Sequence, residues 1–388
     1  MKNSYDVVIV GGGMVGATLA CALGGSALRV AVIEPQAPPE TTNKYGLRVS
    51  AITPASQAVF EKLGAWSGMR AAPVEAMRVW EGDSVLNFDS ADIGAPCLAW
   101  IIENRTMVAA LTARLRQFAN LEVLSPASVA TAQFGEERVS VQLEDGRVLQ
   151  TKLLVGADGA DSRIRRAAGI DWMRHDLGQS AVVAVVRTER PHARTACQHF
   201  LPTGPLAFLP LDEPHTVSIV WSADAARAAE LMRCDDAAFN NELQLAFGDS
   251  LGAVSVASAR AVFPLALGFA QTYTQHRLAL VGDAAHTVHP LAGQGVNLGI
   301  QDAWTLAAIT LDAHGRGRDF GARAWLRRYE RARKGEDVGM QLVTGGFRYL
   351  FGSAWPGAQL LRTASLRVTE QLPLLKHFFM RQASGPSG

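Results

Sequence analysis

The sequence predicts an α/β protein: a parallel sheet of Rossmann type with ligand loops at one edge, and an antiparallel sheet inserted between its pieces. Three observations predict it. Residues 5–34 read as strand, glycine loop, helix and strand. Two further apolar strands, in 151–157 and 277–282, run into Asp158-Gly159 and Gly282-Asp283. Between them, residues 180–222 break into short alternating apolar runs with turn residues between, the pattern of antiparallel pairing.

The first strand, Val7 to Val10, leads into Gly11, Gly13 and Gly16 at G-x-G-x-x-G spacing, followed by Met14, Val15 and a helix-favouring stretch. The second strand ends in Glu34, close to the spacing of about 20 residues that this pattern calls for. Gly11 permits the tight turn, Gly13 lets the backbone approach a pyrophosphate, and Gly16 lets helix and strand pack closely. The helix N-terminus offers free N–H groups and a positive dipole end to phosphate. Glu34 would accept hydrogen bonds from ribose hydroxyls. The loop predicts a dinucleotide without choosing which.

A strand that ends in Gly-Asp or Asp-Gly before a helix places a carboxylate at the C-terminal edge of a sheet, where ligands of open α/β sheets bind. Three such strand ends in one chain predict one extended ligand touched at three points. Asp158 could equally cap the helix RIRRAAG.

Gly11, Gly13, Gly16 and Glu34, the Asp158-Gly159, Ser162 and Arg165 fingerprint, and Gly282-Asp283 together resemble the flavoprotein aromatic hydroxylases of the p-hydroxybenzoate hydroxylase fold. The stretches GLRVSAIT (46–53), WIIENRTMVAALTARL (100–115) and GDAAHTVHPLAGQGVNLG (282–299) are similar to the ubiquinone-biosynthesis hydroxylases, which act on polyprenyl phenols and quinols. The resemblance spans 5–335 and implies that the ligand is FAD. It implies that Glu34 holds the adenosine ribose, that Arg48 and Arg105 sit against the cofactor, and that Asp283 binds the ribityl hydroxyls. Asp158 is implied to serve both the FAD region and the passage of NAD(P)H. The implied reaction has NAD(P)H reducing the flavin as a transient donor, O2 adding at flavin C4a, and the hydroperoxide hydroxylating an activated aromatic ring.

Within 282–299, His286 and His289 invite a metal reading. Pro290 follows His289 and disfavours helix there, so the pair does not share a helical face, and ligands for a full metal site are lacking. The flavin reading accounts for more. His286 anchors the loop or is an ordinary hydrogen-bonded histidine, and Pro290 fixes φ where the chain passes the flavin edge. Gly293, Gln294 and Gly295 bring backbone N–H groups to the ring, with Val296 and Asn297 opening a helix whose positive end favours the charge of reduced flavin. His289 and Pro290 are the candidate catalytic residues. His289 or His199 would take the phenol proton, with a structural role the alternative for each.

The expected FAD-binding domain comprises 1–72, 100–176 and 270–335, and the expected substrate domain 73–99 and 177–269. The inserted sheet would roof the flavin, with His199, Phe208, Leu209, Pro210 and Trp221 as candidate lining or, for each, as core of that sheet. Residues 336–388 form an expected C-terminal helical segment with a disordered tail. Its spaced leucines and basic residues suit core docking, a homodimer contact, a membrane surface or a ubiquinone-biosynthesis complex.

Net charge +1 removes the electrostatic case for nucleic acid, and the four cysteines show no paired spacing, which reads as a reducing, cytoplasmic compartment. The apolar run VVIV is too short for a signal peptide and no stretch reaches the roughly 20 apolar residues of a membrane span. Peripheral attachment at the inner face of the cytoplasmic membrane stays open. The rival functions are a same-scaffold FAD monooxygenase for another aromatic, and a non-catalytic flavin-binding component of a quinone-biosynthesis complex. The W-x-W-x-I-P and Y-x-W-x-F-P runs expected of a halogenase or a prenyl reductase are missing at WIIENR and FLPLDEP.

Overall fold

A computed structural model describes residues 3–37, 45–288 and 294–335. The expectations for His289, Pro290 and Gly293, for the side chain of Gln294 and for segment 336–388 lie outside the described residues.

The parallel sheet forms as the apolar runs demand. Ser4–Val10 lies at its centre, flanked by Val30–Ile33 and then Leu121–Leu124 on one side. On the other side come Val148–Gly156 and Leu278–Leu280, all parallel, with Thr274–Gln275 antiparallel at the edge. Val7, Val8 and Ile9 have no exposed surface, as do Val30, Val32 and Leu154. Such runs, apolar on both faces, are what a sheet covered on both sides requires. Each fully buried Val or Ile contributes roughly 1.5–3 kcal/mol against exposure.

The second sheet has nine strands. Its order is His286–Thr287, Ala261–Ala270, Trp172–Thr188, Thr216–Asp224, Gly204–Pro210, Thr195–Leu201, Ala76–Glu81 and Ser84–Asp89, with Val254–Val256 also on Trp172–Thr188. Every pairing is antiparallel except Thr195–Leu201 with Ala76–Glu81. A three-stranded sheet, Val49–Ile52, Ala99–Glu103 and Ala71–Val74, joins the two large ones.

Alternation along the strands sorts the faces of the nine-stranded sheet. Val182, Ala184, Leu206, Phe208, Ile219 and Trp221 pack with Leu231, Phe239, Leu243 and Phe247, from the helices Ala225–Arg233 and Asp236–Phe247. The opposite face carries Val185, Ala196 and Leu209 against the three-stranded sheet, and Leu177, Ala181, Val220, Leu265 and Leu267 beyond it.

For four of the five residues named as lining or core, the structure favours the core alternative. Phe208 is 1% exposed and stacks on Phe247 at 3.6 Å between centroids. Trp221, 3% exposed, packs near Phe239. His199 stacks on Trp80 and its Nδ1–H donates to the Ala246 carbonyl at 2.7 Å. Pro210 alternates onto the same face as Phe208. These four are core or border residues on the helix side. Leu209 alone of the five turns to the other face.

Candidate functional site

Register places the functional loops. Ile33 pairs with Val10, Val10 with Gly156, and Gly156 with Leu280, so four parallel strands end in one row. Glu34, Gly11, Asp158 and Asp283 therefore emerge side by side at the C-terminal edge. The loops also touch. A Cβ on Gly11, at φ +106°, would lie 2.2 Å from the Ala157 carbonyl oxygen. One on Gly282, at φ +58°, would lie 3.0 Å from a Val15 methyl, joining the third loop to the first helix. Arg165 Nη1 donates to the Ala284 carbonyl at 2.9 Å and Nη2 to Ala160 at 2.6 Å, joining the second loop to the third.

Gly13 differs from its neighbours: a Cβ there would meet nothing within 4 Å. It precedes the helix Met14–Leu23, whose N-terminus has no side-chain cap. An uncapped helix N-terminus beside open space suits an anion. Glu34 is held beside it, accepting from Gly12 N–H at 2.7 Å and Gln36 N–H at 3.0 Å.

Asp283 lies in the turn Gly282–Ala284. Its side chain reaches solvent with protein packed closely around it. That burial raises its pKa, the charges of His286 and Arg48 oppose the rise, and Asp302 adds to it. Arg48 is exposed, and its guanidinium stands over the Phe263 ring at 5.2 Å. It thus lies between Asp283 and the face of the nine-stranded sheet not covered by helices.

His286 is fully buried and its Nε2–H donates to Asp302 Oδ2 at 2.6 Å. Gly282 N–H donates to the same oxygen at 3.0 Å, and Arg333 Nε–H to Oδ1 at 2.8 Å. Burial pushes the Asp302 carboxyl up, but His286 and Arg333 outweigh it and hold the group below its ordinary value. His286 is therefore an anchor inside a buried network. Among the described residues no group of three His, Cys, Asp or Glu is disposed to hold a metal ion.

Other expected cofactor residues have partners within the protein. Asp158 accepts from Ser162 Oγ at 2.5 Å, Arg163 N–H at 2.7 Å and Ile164 N–H at 3.2 Å, which makes it a cap of the short helix Arg163–Ala167. Asn297 donates to the Ala51 carbonyl at 2.7 Å and accepts from Thr53 N–H at 3.0 Å. It fastens the Arg48 strand to the helix Gln294–Gly315. Arg105 pairs with Glu103 at 2.9 Å, and the same Glu103 oxygen accepts from Gly46 N–H at 2.5 Å. Gly295 packs near Val288, and Val296 packs against the main core.

Sequence reasoning missed Asp302, Arg333, Glu103 and the bridging role of Arg165. One signal was available. Asp302 sits four residues from both Leu298 and Leu306, a charge on the buried stripe of its helix. A depression lined by Asp236 and Arg260 lies by the helix pair, away from this edge.

The edge fits FAD: an uncapped helix N-terminus with open space at Gly13 for phosphate, a carboxylate at Glu34 for ribose, and a second carboxylate at Asp283 farther along the row. The comparisons agree. A family model described as FAD binding domain matches residues 4–344. A ubiquinone hydroxylase of Rhodospirillum rubrum is 37% identical over 385 residues, covering 98% of this chain and 89% of that protein. The 3-demethoxyubiquinol 3-hydroxylase of Escherichia coli is 34% identical, covering 98% of each. Among solved structures, PqsL of Pseudomonas aeruginosa superposes with TM-score 0.77 at 26% identity, over 95% of this chain and 100% of that one. The p-nitrophenol 4-monooxygenase of Pseudomonas putida matches with TM-score 0.82 over all of both chains, at 18% identity, a likeness of fold.

Proposed function

We infer the function from one premise: the chain belongs to the FAD-dependent aromatic hydroxylases, in their ubiquinone-biosynthesis branch. The protein is an FAD-dependent monooxygenase that hydroxylates the ring of a polyprenylated phenol or quinol, with O2 as co-substrate and NAD(P)H as transient electron donor. The observation that carries this reading is the single row of strand ends, which sets Glu34, the Gly13 amides and Asp283 along one edge.

Bound FAD supplies the activation of O2 and the transfer of one oxygen atom to the ring. The chain's own residues bind and orient. Glu34 accepts from the adenosine ribose, the helix at Met14 faces the pyrophosphate, and Asp283 accepts from the ribityl hydroxyls. The backbone of Gly295 would face the ring. Asn297 and Glu103 keep the Arg48 strand and Arg105 in register with that edge.

The substrate lies against the face of the nine-stranded sheet that helices do not cover, beyond the three-stranded sheet, in the domain we assign to 73–99 and 177–269. There Phe263, beside Arg48, and the half-buried Val220 and Leu267 form an apolar wall. An apolar wall excludes water from the reacting ring and suits a prenylated substrate. His199, turned to the helix side, does not face this wall; His289, the other candidate for removing the phenol proton, lies outside the described residues.

Among the described residues no helix is long and apolar enough to cross a membrane. Contact with a membrane surface, a partner complex or a second copy belongs, in this reading, to segment 336–388.

The test is NAD(P)H oxidation by the flavin-loaded protein against a panel of prenylated phenols. Stimulated oxidation coupled to a product heavier by one oxygen supports the reading. A purified protein that takes up no FAD removes it. A paired substitution locates the substrate: Leu267→Ala raises KM by several-fold at little cost in stability, whereas Phe208→Ala costs about 3–5 kcal/mol of stability and leaves KM unchanged. The reverse outcome would put the substrate on the helix side.

A further inference from the structure

The turn that presents Asp283 is gripped from both flanks by groups that touch neither flavin nor substrate in the reading above. On one flank Asp302 Oδ2 accepts from Gly282 N–H and His286 Nε2–H, while Arg333 Nε–H holds Oδ1. On the other, Arg165 Nη1 holds the Ala284 carbonyl while its guanidinium stacks 3.9 Å over Trp172. Asp302 and the His286 side chain have no exposed surface, and that of Arg333 is 5% exposed. Burying charges so completely costs several kcal/mol per ion before pairing, and an apolar side chain at Asp302 would continue the stripe of Leu298 and Leu306. Packing alone therefore does not call for this carboxylate. Its hydrogen bonds converge on the turn, whose Gly282 already sits at φ +58°.

We propose that Asp302, with His286 and Arg333, is a positioning residue for the flavin site: it locks the Gly282–Ala284 turn and acts on FAD binding through Asp283. The network ties three segments into one unit. These are the turn after Leu278–Leu280, the helix Gln294–Gly315, and the helical residues 323–335 that carry Arg333. A second contact reinforces the last of these, where Tyr329 Oη donates to the Leu280 carbonyl at 2.8 Å. The proposal rests on Asp283 being a flavin ligand, and its test separates the two claims.

The test is a double-mutant cycle on FAD affinity, read by quenching of flavin fluorescence on titrating apoprotein with FAD. Asp302→Asn lowers affinity at least about tenfold in the natural background and less than about twofold when Asp283→Ala is already present. Equal losses in both backgrounds, or no loss from Asp302→Asn, overturn the positioning role. An Asp283→Ala variant that keeps full affinity overturns instead the assignment of Asp283 to the flavin. His286→Gln, which retains a side-chain N–H donor, keeps affinity within about threefold, while His286→Leu does not. Should Asp302→Asn apoprotein show no cooperative melt, the cycle is run with His286→Leu and Asp283→Ala. Non-additivity then supports the proposal and additivity overturns it.

Discussion

The first and third cofactor loops meet at one sheet edge but are built in opposite ways. The first is shaped chiefly at short range, with Ala157 its distant neighbour: a Cβ on Gly16 would lie 1.9 Å from the Gly11 carbonyl oxygen, five residues back. The third is shaped from a distance. Gly282 is held by Asp302, 20 residues on, Asp302 by Arg333, 31 residues further, and Ala284 by Arg165, 119 residues back. A tight turn that needs only small residues is encoded where it stands. A turn that presents a carboxylate amid buried charges needs a scaffold, and the scaffold is drawn from the rest of the chain.

That contrast can be broken most forcefully at its distant end. Asp302→Ala leaves Arg333 and His286 without their carboxylate in a dry interior and is expected to cost about 3–5 kcal/mol of apoprotein stability, read by denaturant unfolding. A loss below about 1 kcal/mol would mean that the third loop is as locally determined as the first. Next, Gly16→Ala is expected to cost about 3 kcal/mol, because the contact it creates is with backbone that cannot swing aside.

Gly13→Ala sharpens the comparison, since its Cβ meets no protein atom. Apoprotein stability changes by at most about 1 kcal/mol, the poorer N-cap and the stiffer unfolded chain opposing each other, while FAD affinity falls about tenfold, as a methyl group enters the phosphate's space. Titration and thermal melting of the same variant separate the two effects.

The smallest effect is on pH dependence. Asp302 has a depressed pKa in the folded protein, so its contribution is present above the ordinary carboxylate value of 3.8 and is lost as pH falls through the depressed one. Asp283 has a raised pKa, so its contribution is present below 3.8 and is lost as pH rises through the raised value. Apoprotein unfolding followed from about pH 3 to about pH 8 should show a shallower acid limb for Asp302→Asn and a gain on the alkaline side for Asp283→Asn. Indistinguishable profiles would remove both assignments.

Legibility in the sequence followed the same division. The parallel strands, the glycine loop and the antiparallel insertion were readable because each is a local pattern of apolar period and turn residues. The faces of the inserted sheet were not. Phe208, Leu209 and Trp221 read alike as apolar strand residues, and only the two helices packed on one side decide that Phe208 and Trp221 are core while Leu209 faces the other way. Asn297, placed against the cofactor by the loop it opens, proved to clasp Ala51 and Thr53, more than 240 residues away.

By itself, then, the sequence determined which strands form, which turns must be glycine and which carboxylates stand at strand ends, because those follow from sterics and hydrophobic period over a few residues. The tertiary structure alone decided which face of the inserted sheet the helices cover and which buried charges hold the Asp283 turn in place. Those depend on register between strands and on pairing between residues that only packing brings within hydrogen-bond reach.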